Sequence, residues 1–385
     1  MTTIQCQRHL FDVPDDIHYL NCAYISPLLR TAKAAAVQGL TSESHPWTIT
    51  AGDFFAPLEI IRESFAQLIN ATADEIAIVP SASYGIATAA ANMPVKTGQT
   101  IVTLQDQYPS NVYAWRELAS RAGAAHRIVE RPADDDWTAA ILEAIDDSVA
   151  LAALPNNHWM DGGLVDLPTI GDKLRAVGAG LVVDASQSLG AMPLDVARVQ
   201  PDFLVTAGYK WMLCPYGFSL LYVAPHRHTG VPLEHNPHNR VGGEDFPRLA
   251  ELKNEFATGA RRFDAGERAH FTLAPAAAVT LQQLAQWGVD NIYATLSALT
   301  QRVAERAKKF NLETLPPTLR AGHFIGLRFP ATEFPDGPPT VLHDALREAK
   351  VVVSLRGSSL RITPHLYNND ADIAALFDCF EAALV

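Results

Sequence analysis

An acid and a lysine, each closing an apolar run, carry the most legible chemistry in this chain. One run is Val182-Val183-Asp184-Ala185-Ser186-Gln187, and the other is Phe203-Leu204-Val205-Thr206-Ala207-Gly208-Tyr209-Lys210-Trp211. Lys210 follows Asp184 by 26 positions. On neighbouring strand ends such a pair can hold an aromatic cofactor that needs a carboxylate at one ring atom and an amine at its aldehyde. Pyridoxal 5'-phosphate (PLP) is that cofactor. Tyr209, Trp211 and Met212 surround Lys210 with apolar surface, which depresses an ammonium pKa and favours the neutral, nucleophilic amine. A carboxylate at Asp184 would keep a pyridine nitrogen protonated, so that the ring accepts electrons from a substrate carbanion. The same Asp also suits a helix N-cap.

Other residues recur at the same kind of position, just past a strand. Pro80-Ser81-Ala82-Ser83-Tyr84-Gly85 opens a helix, where free N–H groups bind phosphate; an ordinary serine cap is the alternative. Tyr108, in Tyr108-Pro109-Ser110-Asn111, could stack on a planar ring. Asn156-Asn157-His158-Trp159 brings amides, an imidazole and an indole to one edge. Gln187 could donate to a phenolic oxygen. Arg356 and Arg361 flank a short turn, and a guanidinium at a cleft can grip a carboxylate with two N–H groups. Arg261, Arg262 and Arg268 form a second basic group, able to reach phosphate or substrate from a neighbouring subunit or simply to pair with Asp264 and Glu267. His226, His228, His235 and His238 invite a metal reading, but lack the paired spacing of zinc sites; no metal is expected.

Elements that position these residues follow from periodicity. Strand-like runs at 76–79, 100–104, 124–129, 149–154, 181–184, 203–206 and 218–223 alternate with helical patterns until 206. Repeated strand–helix units imply a mainly parallel sheet covered on both faces, with ligands beyond the carboxyl ends of its strands. The expected architecture is α/β: an N-terminal arm at residues 1–21, a large domain at 22–281 and a smaller α/β domain at 282–385, which the arm joins. Residues 226–246, rich in Pro, His, Asn and Gly, read as a functional loop.

A net charge of −12 speaks against nucleic acid and anionic lipid as partners. No apolar run reaches the ~20 residues of a membrane span. The four scattered cysteines and the acidic, non-apolar start point to a reducing cytoplasm without a signal peptide.

Together these stretches resemble the class V aminotransferase family of fold-type I PLP enzymes, which includes cysteine desulfurases, selenocysteine lyases, kynureninases and isopenicillin N epimerase-like proteins. The resemblance runs from Tyr19-Leu20-Asn21 through Asp184-Ala185-Ser186-Gln187 and Gly208-Tyr209-Lys210-Trp211 to Leu360-Arg361-Ile362-Thr363-Pro364-His365-Leu366-Tyr367-Asn368. It implies a seven-stranded, mainly parallel sheet. It implies that Lys210 links to the cofactor aldehyde and moves the Cα proton, that Asp184 meets the ring nitrogen, and that Gln187 meets the phenolic oxygen. Ala82 and Ser83 would hold phosphate, Tyr108 would stack on the ring, and Tyr209 would touch phosphate. His158, or Asn157 one position earlier, would lie near the phenolic oxygen. Arg361 would bind the substrate carboxylate. Ala207 stands where many relatives have a phosphate-binding Ser, which Thr206, or Arg268 of a partner chain, would replace.

The resemblance also implies a homodimer with shared sites. The 355–361 turn lacks the cysteine of the desulfurases, which disfavours persulfide chemistry. An aminotransferase is expected, with a β-eliminating C–S lyase or an amino-acid epimerase as alternatives. A non-catalytic PLP-binding protein and a metal hydrolase built on His226–His238 stand further off.

Overall fold

A computed structural model describes residues 2–335 and 337–384. The N-terminal part gives β1 (His18–Tyr19), α1 (Arg30–Glu43) and α2 (Ala56–Ile69). Strands and helices then alternate: β2 (Ile76–Val79), α3 (Ala82–Asn92), β3 (Thr100–Leu104), α4 (Tyr113–Ala122), β4 (Ala125–Val129), α5 (Trp137–Glu143), β5 (Val149–Pro155), α6 (Leu167–Ala176), β6 (Gly180–Asp184), α7 (Val196–Val199), β7 (Phe203–Ala207) and β8 (Ser219–Val223). Two long helices follow, α8 (Leu273–Trp287) and α9 (Val289–Ala307). The chain ends with β9 (Ile325–Arg328), α10 (Thr340–Glu348), β10 (Val351–Val352), β11 (Ser354–Arg356), β12 (Ser359–Ile362) and α11 (Asp370–Leu384).

Seven strands form one sheet in the order β2-β8-β7-β6-β5-β3-β4. Neighbours from β7 to β4 are parallel, whereas β8 is antiparallel to both β7 and β2. Reversal on both sides of β8 leaves β2 pointing the same way as β7. The carboxyl ends of β2, β3, β5, β6 and β7 therefore share one edge. The reversed strand also explains the absence of a helix between β7 and β8: an antiparallel neighbour needs only a turn, a parallel one a crossover. Strands β2, β3, β5, β7 and β8 are buried at every position, as apolar runs covered on both faces must be. Strand β4 lies at the sheet edge, and only its Val129 is buried.

Helix packing sets where the strand ends point. Pro57 sits in the first turn of α2, and Leu58, Ile61, Phe65 and Ile69 bury one face of that helix. Each such side chain contributes about 1.5–3 kcal/mol relative to exposure. Gly85 lets α3 lie directly on β7: a Cβ there would stand 2.5 Å from Val205 Cγ2. That close approach fixes the start of α3 beside the end of β7.

A second sheet, β11-β12-β9, is antiparallel, and β1 pairs with β10 in parallel. Backbone hydrogen bonds tie residues 20–22 to the C-terminal part: Cys22 N donates to Thr363 O at 3.0 Å, and Thr363 N to Leu20 O at 2.9 Å. The anticipated boundary after residue 281 falls inside α8, which packs on α1 and α2 without a break. Among the described residues, no helix is long and apolar enough to cross a membrane.

Candidate active site

The shared strand edge closes over a cleft of about 170 Å³. Ala82, Ser83, Tyr108, Asn157, Asp184, Gln187, Tyr209 and Lys210 all line it, drawn from the ends of β2, β3, β5, β6 and β7 or the segments that follow them. Strand pairing sets their order, because Asp184 is in register with Pro155 on one side and Val205 on the other. A wider groove of about 910 Å³ lies elsewhere, lined by Asn156, Asp166, Asp195 and Leu319 among others. Asp166 and Asp195 there cap helices, accepting from Thr169 N and Ala197 N, so the groove holds structural acids and no aligned nucleophile.

Lys210 is 6% exposed. Burial pulls its pKa down to about 8, against the opposing pull of Asp184. Its Nζ stands 5.2 Å from the Tyr108 ring centroid and 5.6 Å from that of Tyr209. The loop carrying it is latched from the N-terminal segment. Ser26 N and Oγ donate to Tyr209 O at 3.0 and 3.2 Å, and Cys22 Sγ donates to Lys210 O at 3.8 Å. Burial raises the Cys22 thiol pKa far above its ordinary value, so this group serves as a weak donor and not as a nucleophile.

Gln187 is oriented by its partners. Trp211 Nε1, which can only donate, gives its proton to Gln187 Oε1 at 3.1 Å, while Gln187 Nε2 donates to Ala23 O at 3.3 Å. One N–H of the amide remains for the cleft. Asn157 is 1% exposed, and neither Nδ2 nor Oδ1 has a partner. At the start of α3, Ser81 Oγ accepts from Tyr84 N at 3.1 Å. The N–H groups of Ala82 and Ser83, in the first turn, have no helical acceptor. Asp184 Oδ1 accepts from Ser186 N at 3.0 Å.

Five expected positions fall outside the cleft lining: His158, Thr206, Arg268, Arg356 and Arg361. His158 is turned away: its Nε2 lies 3.1 Å from Gln105 O, its Nδ1 3.4 Å from Arg131 Nη2, and its ring stacks on Trp137 at 5.1 Å. Burial lowers its pKa, so it is a neutral packing group. Thr206 is fully buried, with only a 3.5 Å contact from Oγ1 to Ala207 O. Arg268 pairs with Asp264 at 2.8 Å, and Asp264 also meets Arg62 at 2.5 Å, so Arg268 belongs to a buried ion cluster. The four histidines are dispersed: His226 meets Asp202, His228 meets Val223 O, His235 meets Arg240, and His238 packs on Phe54 and Phe55. Among the described residues no three His, Cys, Asp or Glu side chains are grouped to hold a metal.

Arg361 is 1% exposed on β12, next to the cleft wall. Its Nη1 donates to Trp159 O at 3.1 Å, while Nε and Nη2 have no partner. Burial, and then the charge of Arg356, pull its pKa down to about 9. Trp159, whose indole the sequence placed at this edge, lines the cleft, as do Ser186, Ser219 and Tyr216, which were not singled out. Ser186 lay in plain view within the Asp184–Gln187 stretch. Ser219 gave no signal, because only the antiparallel register of β8 places it beside Ala207 and Val79.

These donors fit PLP. An unpaired helix start flanked by serine hydroxyls suits the phosphate, Asp184 suits the ring nitrogen, and Lys210 suits the aldehyde. The two buried, partnerless amide atoms of Asn157 call for a polar group in the cleft.

The chain belongs to the Aminotransferase class-V family, whose model matches residues 42–360. It is 25% identical to an uncharacterized aminotransferase, YcbU, of Bacillus subtilis, over 83% of this chain and 82% of that protein. It is 26% identical to isopenicillin N epimerase of Streptomyces clavuligerus, covering 83% of each. A solved structure of C-DES, with glycine covalently linked to its PLP cofactor, superposes with a TM-score of 0.84 at 18% identity, covering 97% of this chain and 98% of that one. That likeness fixes the fold.

Proposed function

We propose that this chain is a PLP-dependent enzyme acting at Cα or Cβ of an amino acid, and specifically an aminotransferase. The observation that carries the reading is the buried Lys210 amine sharing a cleft with Asp184 and with Asn157, whose two buried amide atoms find no partner among the described residues. Ala82 N, Ser83 N and the hydroxyls of Ser83, Ser186 and Ser219 hold the phosphate. Asp184 keeps the ring nitrogen protonated, and Asn157 with the free N–H of Gln187 meets the ring oxygen; Asn157 takes the place expected of His158. Tyr108 covers the ring, and Tyr209 stands at the phosphate side. PLP supplies an electron sink that weakens a bond at the substrate Cα.

With its pKa pulled down to about 8, Lys210 keeps a minor but usable fraction of neutral amine near pH 7, so it can attack a carbonyl and afterwards take a proton from Cα and return it. Arg361 grips the substrate carboxylate through Nε and Nη2, which orients the Cα–H bond. Burial of both residues excludes water from the path of that proton.

Homodimerisation belongs to the same proposal, supported by exposed Tyr24 and Tyr216 near the cleft mouth. Cytoplasmic placement is supported by four free cysteines. The isopenicillin N epimerase relative keeps epimerisation as a second reading, and C-DES, a cystine C–S lyase, keeps β-elimination.

The test is spectroscopic and chemical. Purified protein should carry a visible chromophore that borohydride fixes to Lys210 and that Lys210→Ala lacks. Amino acids should then be screened for spectral change, with keto-acid, ammonia, sulfide and enantiomer formation followed in parallel. Keto-acid formation matched by amine transfer supports the aminotransferase. A coloured protein that never exchanges Cα hydrogen is a binding protein, and a colourless one inactivated by chelator is a hydrolase.

A further inference from the structure

Two arginines beside the cleft lack a counter-charge. Among the described residues, no carboxylate oxygen lies within 4.0 Å of Arg356 or Arg361. What sets these two apart from other arginines without an acid is that both touch Trp159, a residue of the cleft wall. Like charges held together without an acid repel, and burial of Arg361 removes much of the water that would screen it from the half-buried Arg356.

Both arginines engage one platform, Trp159. Arg361 Nη1 donates to the Trp159 carbonyl at 3.1 Å. The Arg356 guanidinium lies 5.6 Å from the Trp159 ring centroid and donates once, from Nη1, to the adjacent Leu355 O. The platform is itself fixed: the indole N–H donates to Asp106 O at 2.6 Å, and Tyr108 packs edge-on at 5.5 Å. Trp159 and Tyr108 line the cleft. A guanidinium over a half-buried indole is weakly attracted by the ring face, which explains why Arg356 rests there but not why a second cation is kept beside Arg361.

We propose that Arg356 reads a second anionic group on the substrate, so that the amino acid accepted carries an acidic side chain. Resting on the function proposed above, it names the substrate class for the same site. Arg361 takes the α-carboxylate. Arg356, held by Trp159 on the β11–β12 hairpin, takes the side-chain carboxylate, and the bound dianion removes the repulsion between the two guanidinium groups. Specificity arises because a neutral side chain leaves Arg356 uncompensated.

The experiment titrates the PLP-loaded protein with L-aspartate, L-glutamate, L-asparagine and L-glutamine, and follows the cofactor absorbance. Each acid should bind at least about tenfold tighter than its own amide, the size expected of one charge-assisted contact. In Arg356→Met that ratio should fall to about one, and Arg356→Lys should keep part of it. The ratio is read within each variant, so a general loss of affinity does not mimic the effect. Equal binding of acid and amide by the wild type overturns the inference, as does a ratio that survives Arg356→Met. A chromophore that responds to the amides without favouring the acids overturns this inference alone, whereas absence of any chromophore overturns the function on which it rests.

Discussion

Asn157 and His158 are consecutive residues with opposite fates. Asn157 faces the cleft with both amide atoms unpaired, while His158 faces the interior with Gln105 O, Arg131 and the Trp137 ring around it. The contrast extends to their surroundings. Behind His158, Asp161 meets Arg131 at 2.9 Å and Arg328 at 2.7 Å, and Arg328 also meets Asp135. Burial would raise the Asp161 pKa, but Arg131 leads the charges that hold it below the ordinary value. In front of Asn157 lie Lys210 and a helix start without acceptors, with the half-paired Arg361 alongside. Charges paired inside the chain hold structure; polar groups left without partners mark where a ligand belongs.

The sharpest break of that contrast is Asp161→Asn. It strips a buried carboxylate from two arginines and should cost about 4 kcal/mol in urea unfolding, with kcat/KM of the folded enzyme little changed. On the cleft side, Lys210→Met should do the reverse in the cofactor-free chain. Burial lowers the Lys210 pKa from 10.5 to about 8, so between those values the unfolded chain binds the extra proton and stability rises with pH. Replacing it should therefore stabilise the apoprotein by about 3 kcal/mol at pH 7, a gain that fades between pH 8 and 10.5. Unfolding measured across that range should show the two curves converging; a constant offset would refute the shift.

Arg361→Met should lower kcat/KM about 100-fold without loss of stability, because no internal ion pair is broken. The smallest effect separates the two neighbours themselves. Asn157→Ala should lower activity about tenfold and shift the cofactor absorbance, whereas His158→Asn should leave the spectrum in place and lower stability by about 1–3 kcal/mol. A spectral shift in His158→Asn and none in Asn157→Ala would invert the assignment.

The sheet was legible because continuous apolar runs bounded by turn residues leave little choice of element. Strand boundaries agree to within about two residues, and ligand placement at strand carboxyl ends follows from parallel topology. Misreadings arose where one residue of register decides a direction. Nothing in Asn157-His158 says which side chain faces the cleft; the turn closed by His158 N to Gly163 O at 2.7 Å settles that. The pairing of Arg268 with Asp264 was one of two readings open in the sequence; what was not legible is that Arg62 of α2 and Ile78 N of β2 meet the same carboxylate.

By itself the sequence determined the α/β class, the order of elements, and the identity of Asp184 and Lys210, because strand burial and chain order are local properties. Only the tertiary structure decided which polar atoms keep a partner. Pairing depends on side chains far apart in sequence meeting within a few ångströms, as Trp211 meets Gln187 and Arg361 meets Trp159 O. Among the described residues, the same long-range packing left Arg356 and Arg361 without an acid within 4.0 Å.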